Sequence, residues 1–193
     1  ESLKTIGQSA FCDCDSLKAI EFPKKLKSIG DSAFSNCGSL TEIKLPESLK
    51  TIGNYASQGC EKLKGIQLKE GIQTIGSDFI GNTEISGIVI PKTVESMDYA
   101  FSNAKELKKV EFSEGIKKIP DYAFSKNYNG TIQIEQVVIP EGVIEIGRDT
   151  FYDCDGLKEI KLPESLKTIG QSAFCDCDSL KTIEFPKRLK SIG

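Results

Sequence analysis

The stretch from Ile29 to Thr51 reads I-G-D-S-A-F-S-N-C-G-S-L-T-E-I-K-L-P-E-S-L-K-T, and Ile52-Gly53 begins the same pattern again. The isoleucine of this Ile-Gly pair, or its equivalent, recurs at positions 6, 29, 52, 75, 97, 119, 146, 169 and 192, in steps of 23, 23, 23, 22, 22, 27, 23 and 23 residues. A recurrence of this length is typical of solenoids, in which each unit buries its apolar side against its neighbours. The sequence therefore predicts about eight repeats of ~23 residues in one continuous array.

Each repeat contains an extended part. In the second repeat Ile43 and Leu45 are apolar whereas Glu42 and Lys44 are charged, and this alternation predicts a half-buried strand. Pro46 then ends the ladder pairing and turns the chain, because proline has no backbone N–H to donate. The following L-K-T-I-G segment suits a second short strand. Its final glycine favours a corner with positive φ or close backbone approach.

The remainder of the repeat is compact. Between Asp31 and Cys37 the residues Phe34 and Cys37 lie three apart behind a polar start, which suits a single helical or 3₁₀ turn. No segment between turn signals reaches the ~12 residues that an independent helix needs. We therefore expect residues 1–193 to form a single solenoid domain built from strand, proline corner, second strand, glycine corner and helical turn.

Composition and charge argue against several classes of function. The net charge is -3 with Lys and Arg interleaved among Asp and Glu, whereas a nucleic-acid partner needs a clustered basic face. No run approaches the roughly 18 apolar residues of a membrane-spanning helix. Histidine is absent, which removes the usual general base and the commonest metal ligand. We expect no enzyme activity, no cofactor and no metal.

The two ends of the chain carry almost the same sequence. Ser2 to Gly30 matches Ser165 to Gly193 at 27 of 29 positions. Solenoids normally finish in atypical capping repeats with a polar outer face, and neither end has that character. We therefore expect a fragment of a longer array without its own caps, or ends covered by other chains. Stacking of separate molecules end to end is a further prediction from this match.

The marks L-x-x-I-x-L-P-x-x-L-x-x-I-G-x-x-A-F-x-x-C resemble the leucine-rich repeats of BspA-like bacterial surface proteins. Leu40 to Ala56 and Leu157 to Cys177 match them closely, and the repeats that begin at Ile75, Met97 and Ile119 depart from them. The resemblance implies a right-handed curved leucine-rich-repeat solenoid with a parallel β-sheet on its concave face. It also implies a secreted or cell-surface protein that adheres to host, extracellular-matrix or bacterial-surface proteins.

Because alternate strand residues point to opposite faces, the residues that flank each inward isoleucine or valine form two outward rows. We call these rows the first-strand face. The first row is Ala19, Glu42, Gly65, Gly87, Lys109, Gln136, Glu159 and Thr182. The second row is Glu21, Lys44, Gln67, Val89, Glu111, Val138, Lys161 and Glu184.

The middle of the first-strand face is the predicted binding surface. Gly65 and Gly87 fall on neighbouring strands, so we expect a shallow trough there, and Val89 and Val138 are apolar where other repeats carry charge. The predicted ligand-binding residues are Glu42, Lys44, Gly65, Gln67, Gly87, Val89, Lys109, Glu111, Gln136 and Val138. The alternative is an ordinary solvated sheet with mixed charges, in which the array acts as a spacer that holds another domain off the cell surface.

A second candidate lies near an insertion. The repeat that begins at Ile119 has about four extra residues around Asn127 to Gly130, and its Asn-Gly pair predicts a protruding tight turn. Tyr122 and Tyr128 lie near this loop, and tyrosine is enriched at protein interfaces.

Five of the seven cysteines share one repeat position. They are Cys14, Cys37, Cys60, Cys154 and Cys177, and Thr83, Ala104 and Asn127 take this position elsewhere. Exchange with small residues predicts a buried slot where cysteine acts as a small hydrophobe, so we expect free thiols. Cys12 and Cys175 add a C-x-C motif, which lacks the second ligand pair of a zinc site.

Overall fold

The computed structural model describes residues 2–126 and 130–193. Its strands, in chain order, are β1 (Thr5–Ile6), β2 (Ser28–Ile29), β3 (Thr51–Ile52), β4 (Thr74–Ile75), β5 (Gly87–Ile90), β6 (Lys109–Phe112), β7 (Lys118–Ile119), β8 (Gln136–Val138), β9 (Glu145–Ile146), β10 (Glu159–Ile160), β11 (Thr168–Ile169), β12 (Thr182–Ile183) and β13 (Ser191–Ile192). They alternate along much of the chain between the predicted first and second strands of successive repeats.

The strand pairs are parallel and join equivalent positions of neighbouring repeats. The second strands form two four-stranded sheets, in the orders β1-β2-β3-β4 and β13-β11-β9-β7. The first strands form a sheet β5-β6-β8 and a pair β10-β12. An isolated parallel bridge between Ile43 and Ile66 marks the first strands of two earlier repeats. The predicted parallel solenoid of stacked repeats is therefore confirmed.

One apolar column runs through the interior behind the first strands. Its members belong to a single hydrophobic core and are Ile20, Ile43, Ile66, Ile88, Val110, Val137, Ile160 and Ile183. Val110 in the middle is fully buried, whereas Ile20 and Ile183 in the outer repeats are partly buried. Ile20 and Ile183 are less buried because their repeats have a neighbour on one side only in this chain, whereas Ile66 is partly buried although it lies in an inner repeat.

The segment that was predicted to be a helical turn has a different structure, since residues 2–126 and 130–193 contain no helix. Ser35 donates its N–H to Ser32 of its own repeat at 3.1 Å, whereas Phe34 donates to Ala56 of the next repeat at 2.8 Å. A helix would direct every N–H along its own axis and leave none for the neighbouring coil. We call the stack of segments equivalent to Asp31 to Cys37 the turn ladder.

The second residue of each turn-ladder segment has a left-handed backbone, and so does the sixth residue of several segments, such as Asn36 at φ 59°. The residues at the second position have φ between 49° and 56° and are Ser9, Ser32, Tyr55, Asp78, Tyr99, Tyr122, Asp149 and Ser172. This conformation costs roughly 1–2 kcal/mol for a residue with a Cβ. The hydrogen bonds to the next repeat offset that cost.

Aromatic rings and thiols fill the space inside the turn ladder. The stacked ring pairs have centroids 5.3–5.4 Å apart and are Phe11–Phe34, Phe101–Phe124, Phe124–Phe151 and Phe151–Phe174. The cysteine Sγ atoms donate to phenylalanine carbonyls of the preceding repeat at 3.1–3.3 Å, in the pairs Cys37–Phe11, Cys60–Phe34, Cys154–Phe124 and Cys177–Phe151. This position therefore uses cysteine both as a small apolar group and as a weak donor.

The glycine corners are required by close approach of neighbouring backbones. A Cβ built on Gly53 would lie 2.5 Å from the backbone N of Asp31 and the backbone C of Gly30. A Cβ on Gly7, which has no preceding repeat in this chain, would meet nothing within 4 Å. Neither corner has a positive φ. Of the two reasons for glycine that the sequence left open, close backbone approach is therefore the one that applies.

Candidate functional site

The central strands bring the predicted site residues into two aligned rows. Gly87 of β5 pairs with Lys109 of β6, which pairs with Gln136 of β8. The second row has the same register and contains Val89, Glu111 and Val138. Neighbouring strands lie ~4.8 Å apart, so these side chains form one continuous surface. The bridge at Ile43 and Ile66 carries the same alignment into the earlier repeats.

Two adjoining depressions mark the first-strand face where glycines replace side chains. One encloses about 510 Å³ and includes Gly87, Val89 and Gln67 in its lining. The other encloses about 850 Å³ and includes Gly65 and Gln67. We call the surface formed by Gly65, Gln67, Gly87 and Val89 the trough. Its floor includes Ile66, which is partly exposed whereas its counterpart Ile43 is buried.

Charged pairs border the trough on both sides. Lys44 Nζ lies 3.1 Å from Glu42 Oε1, and Lys109 Nζ lies 2.5 Å from Glu111 Oε1. Each pair joins the two outward residues of one strand, so opposite charges neutralise each other within a repeat. Exposed pairs of this kind contribute about 0–1 kcal/mol to stability. The four trough residues are themselves uncharged and lie between two strands with matched charges. Lys69 reaches the edge of the trough, where its Nζ donates to Gln67 Oε1 at 2.9 Å and lies 3.2 Å from Glu47 Oε1.

The two apolar members of the second row remain accessible to solvent. Val89 is 50% exposed and Val138 is 41% exposed, although both belong to strands. They lie in register on either side of Glu111. Apolar side chains at such positions give a partner something to bury, which the charged rows of the outer repeats do not.

The tyrosine candidate lies elsewhere on the molecule. Tyr122 belongs to the turn ladder and its ring packs on Tyr99, with centroids 5.3 Å apart. Tyr128, together with Asn127 and Asn129 of the predicted loop, lies outside the described residues. The two predicted surfaces are therefore carried by different segments of the repeat.

The sequence did not single out Asp78, a largely buried carboxylate of the turn ladder. Its oxygens accept hydrogen bonds from Gln58 Nε2 at 2.8 Å, from Asn103 Nδ2 at 2.7 Å and from Asn103 N at 3.1 Å. Burial raises the pKa of this carboxyl, and the hydrogen bonds from Asn103 and Gln58 oppose the rise. The network ties three successive repeats together, which is a structural role.

The thiols are free, as expected. Burial raises the pKa of Cys60 to about 12 and that of Cys177 to about 11, and a thiol must ionise to act as a nucleophile. Within the described residues, no group of three or more cysteine, aspartate or glutamate side chains is placed to hold a metal ion. The same part of the chain contains no helix long and apolar enough to cross a membrane.

Fold and surface together define a repeat protein with an open sheet face. The sequence matches the family described as BspA type leucine rich repeat region, in six copies over residues 1–99 and 126–193. The chain therefore belongs to the BspA-type leucine-rich repeat family. Repeats of this kind are generally non-catalytic protein-interaction modules. No curated protein matches the sequence.

Several solved structures share the fold. The T. pallidum leucine-rich repeat protein has a TM-score of 0.61 and 25% identity, over 92% of this chain and 72% of that chain. A leucine-rich repeat protein from Bacteroides ovatus has a TM-score of 0.51 and 24% identity, over 98% and 72%. A leucine rich cell surface protein from Faecalibacterium prausnitzii has a TM-score of 0.51 and 26% identity, over 93% and 42%.

Proposed function

We propose that this chain is a non-catalytic adhesion module of a bacterial surface or secreted protein, and that it binds a protein ligand through the first-strand face. The observation that carries the proposal is the trough, a depression formed by four uncharged residues and bordered by the matched pairs at Glu42 and Lys109. The ligand is a protein of the host, of the extracellular matrix or of another bacterial surface, by analogy with the family.

The trough suits an extended protein segment that places apolar side chains beside Val89 and over Ile66. Burial of apolar surface is favourable by roughly 25 cal/mol per Å², and half of Val89 is available for it. The charged pairs on either side would orient the segment and set its register, because rim charges contribute more to specificity and association rate than to affinity.

The test fills the trough without disturbing the fold. Gly65→Glu together with Gly87→Lys leaves the net charge unchanged and gives both strands an ordinary side chain. A Cβ at Gly65 meets nothing within 4 Å, and one at Gly87 lies 3.7 Å from the carbonyl oxygen of Lys109, an ordinary contact. We expect proteins that the unmodified chain retains from matrix and bacterial-surface extracts to be lost, with a fall in affinity of at least about ten-fold.

The matched control is Ala19→Glu together with Thr182→Lys, which makes the same charge changes in the same row but in the outer repeats. A ligand retained by this control and lost from the filled variant supports the proposal. A ligand that both variants retain moves the binding surface away from the trough. Recovery of no ligand by the unmodified chain favours the spacer function. End-to-end association stays a prediction, which light scattering across a range of concentrations would test.

A further inference from the structure

A separate depression lies on the turn ladder, which is a different segment of the repeat from the strands that form the trough. It encloses about 520 Å³, within the range of small-molecule sites. Its lining residues are Tyr99, Tyr122, Ser125, Lys126, Asp149, Tyr152 and Asp153. Three of the five tyrosines of the chain thus meet at one place on the surface.

This cluster exists because the repeats depart from their consensus here. Tyr99 and Tyr122 occupy the left-handed position of neighbouring repeats, and their ring planes are inclined by 31°. Tyr152 follows the ladder residue Phe151, at a position where two neighbouring repeats have Ser102 and Ser125. The small side chain of Ser125 leaves room beside the ring of Tyr152.

The charges around the depression are already matched. Lys126 Nζ lies 2.6 Å from Asp153 Oδ1 and 3.5 Å from Asp155 Oδ2. Arg148 Nε lies 2.9 Å from Asp149 Oδ2, and the Arg148 guanidinium lies 5.7 Å from the ring centroid of Tyr122. An ionic ligand would have to separate these pairs, whereas a neutral ligand could use their remaining hydrogen-bonding capacity.

The Asp176 carboxylate of the next repeat interacts with the Tyr152 hydroxyl and raises the pKa of the phenol. The hydroxyl therefore stays protonated and adds no charge to the depression.

We propose that this tyrosine cluster binds a neutral saccharide ring of a glycan. A hexopyranose presents a face of C–H groups, which carry partial positive charge and pack on the negative face of an aromatic ring. Its edge presents hydroxyls that both donate and accept, which suits the Asp149 and Asp153 carboxylates and the Lys126 ammonium. The site is separate from the trough and would add a carbohydrate contact to the proposed protein contact.

Saturation-transfer NMR with the whole chain tests the assignment. The probes are the methyl glycosides of glucose, galactose, mannose and N-acetylglucosamine and their disaccharides, at millimolar concentration. We expect transfer from the protein to the C–H face of at least one sugar. Tyr152→Ser restores the residue of the neighbouring repeats, and we expect it to lower affinity at least about ten-fold while the thermal midpoint is kept.

The matched control is Tyr55→Ser, which removes an exposed tyrosine from the same left-handed column but outside the depression, and it should leave sugar binding unchanged. The assignment is overturned if none of these sugars shows saturation transfer. It is overturned equally if Tyr152→Ser binds sugar as well as the unmodified chain does. A response to a proline-rich peptide without a response to any sugar would assign the cluster to a peptide ligand instead.

Discussion

The regular outer repeats and the irregular central repeats solve the same packing problem in different ways. In the second repeat Phe34 stacks on its equivalent in the preceding repeat, Phe11. In the centre the substitutions come in compensating sets. Ser57 stands where other repeats have phenylalanine, and Phe79 of the next repeat helps to line the space left there, reducing it to a cavity of about 10 Å³. Ser57 Oγ then donates to the carbonyl of Phe79 at 2.7 Å.

This difference separates the residues that stabilise the stack of repeats from the residues that give this chain its distinctive surface. The apolar residues of the consensus are sufficient for stacking. The outer repeats keep this consensus with few replacements. The trough and the tyrosine cluster both draw on repeats where a consensus residue has been replaced, such as Gly87, Val89 and Tyr152. A replacement at an outward position leaves the backbone bonds between repeats intact, so the surface can change while the stack persists.

The largest expected effect comes from breaking the aromatic ladder at its centre. Phe124 is fully buried between Phe101 and Phe151 and also meets the edge of Phe112. Phe124→Ala should cost about 3–5 kcal/mol because it leaves a cavity between two rigid neighbours. Phe11→Ala, in the partly exposed outer repeat, should cost about 1 kcal/mol. Urea unfolding followed by far-ultraviolet circular dichroism measures both, and equal losses would contradict the comparison.

The next largest loss of stability is expected from a substitution at the glycine corner of Gly53, for which Gly7 provides a matched control. Gly53→Ala forces a methyl group against the backbone of the preceding repeat and should cost about 1–3 kcal/mol. Gly7→Ala meets no neighbour and should change stability by less than about 0.5 kcal/mol. A similar midpoint of thermal unfolding for the two variants would show that close approach is not what selects glycine.

The hydrogen bonds that Asp78 accepts allow the central and outer repeats to be compared through a single side chain. Asp78→Ala removes the acceptor for Gln58 and Asn103 and should cost about 1–3 kcal/mol. Ser32→Ala shares the left-handed backbone but serves no such network, so the difference between the two variants isolates the hydrogen bonds. Urea unfolding of both variants measures that difference, and equal costs would mean that the buried amides find other partners.

The same carboxyl predicts a pH dependence. Its pKa in the folded chain is raised above the ordinary value of 3.8, so the native state holds the proton more tightly than the unfolded state does. Its linkage contribution to stability is complete below pH 3.8 and is lost as pH rises through the folded pKa. The difference in unfolding free energy between the unmodified chain and Asp78→Ala should therefore be larger in acid than at neutral pH. Urea unfolding at both pH values measures it.

The smallest effect concerns the thiol column, which stops at Cys60 and resumes at Cys154. Alkylation by iodoacetamide needs a thiolate, and burial raises the pKa of both thiols. The pKa of the Cys175 thiol is raised as well, but this thiol is exposed, so we expect it to react first and these two buried thiols to react only as the chain unfolds. Mass spectrometry of timed samples measures the order. Equal rates in the folded chain would show that the column is open to solvent.

The repeat period and its apolar marks were sufficient to predict the solenoid, its interior column and the pairing of outward rows. The turn ladder was mistaken for a helical turn because the spacing of Phe34 and Cys37 fits both structures. What distinguishes them is where each N–H donates, and half of those acceptors lie in another repeat. The tyrosine cluster was recognised only through Tyr122, since Tyr152 is 30 residues further along the chain. Its proximity depends on the stacking register rather than on local sequence.

The backbone hydrogen bonds between repeats have a consequence for how such a gene can change. Each turn-ladder segment donates N–H groups to the following coil and accepts hydrogen bonds from the preceding coil, as the Phe34 to Ala56 and Phe11 to Ala33 bonds illustrate. A duplicated or deleted coil of 23 residues would therefore find ready-made partners on both sides. The number of coils can therefore change by whole repeats while the hydrogen bonds between neighbouring coils are kept.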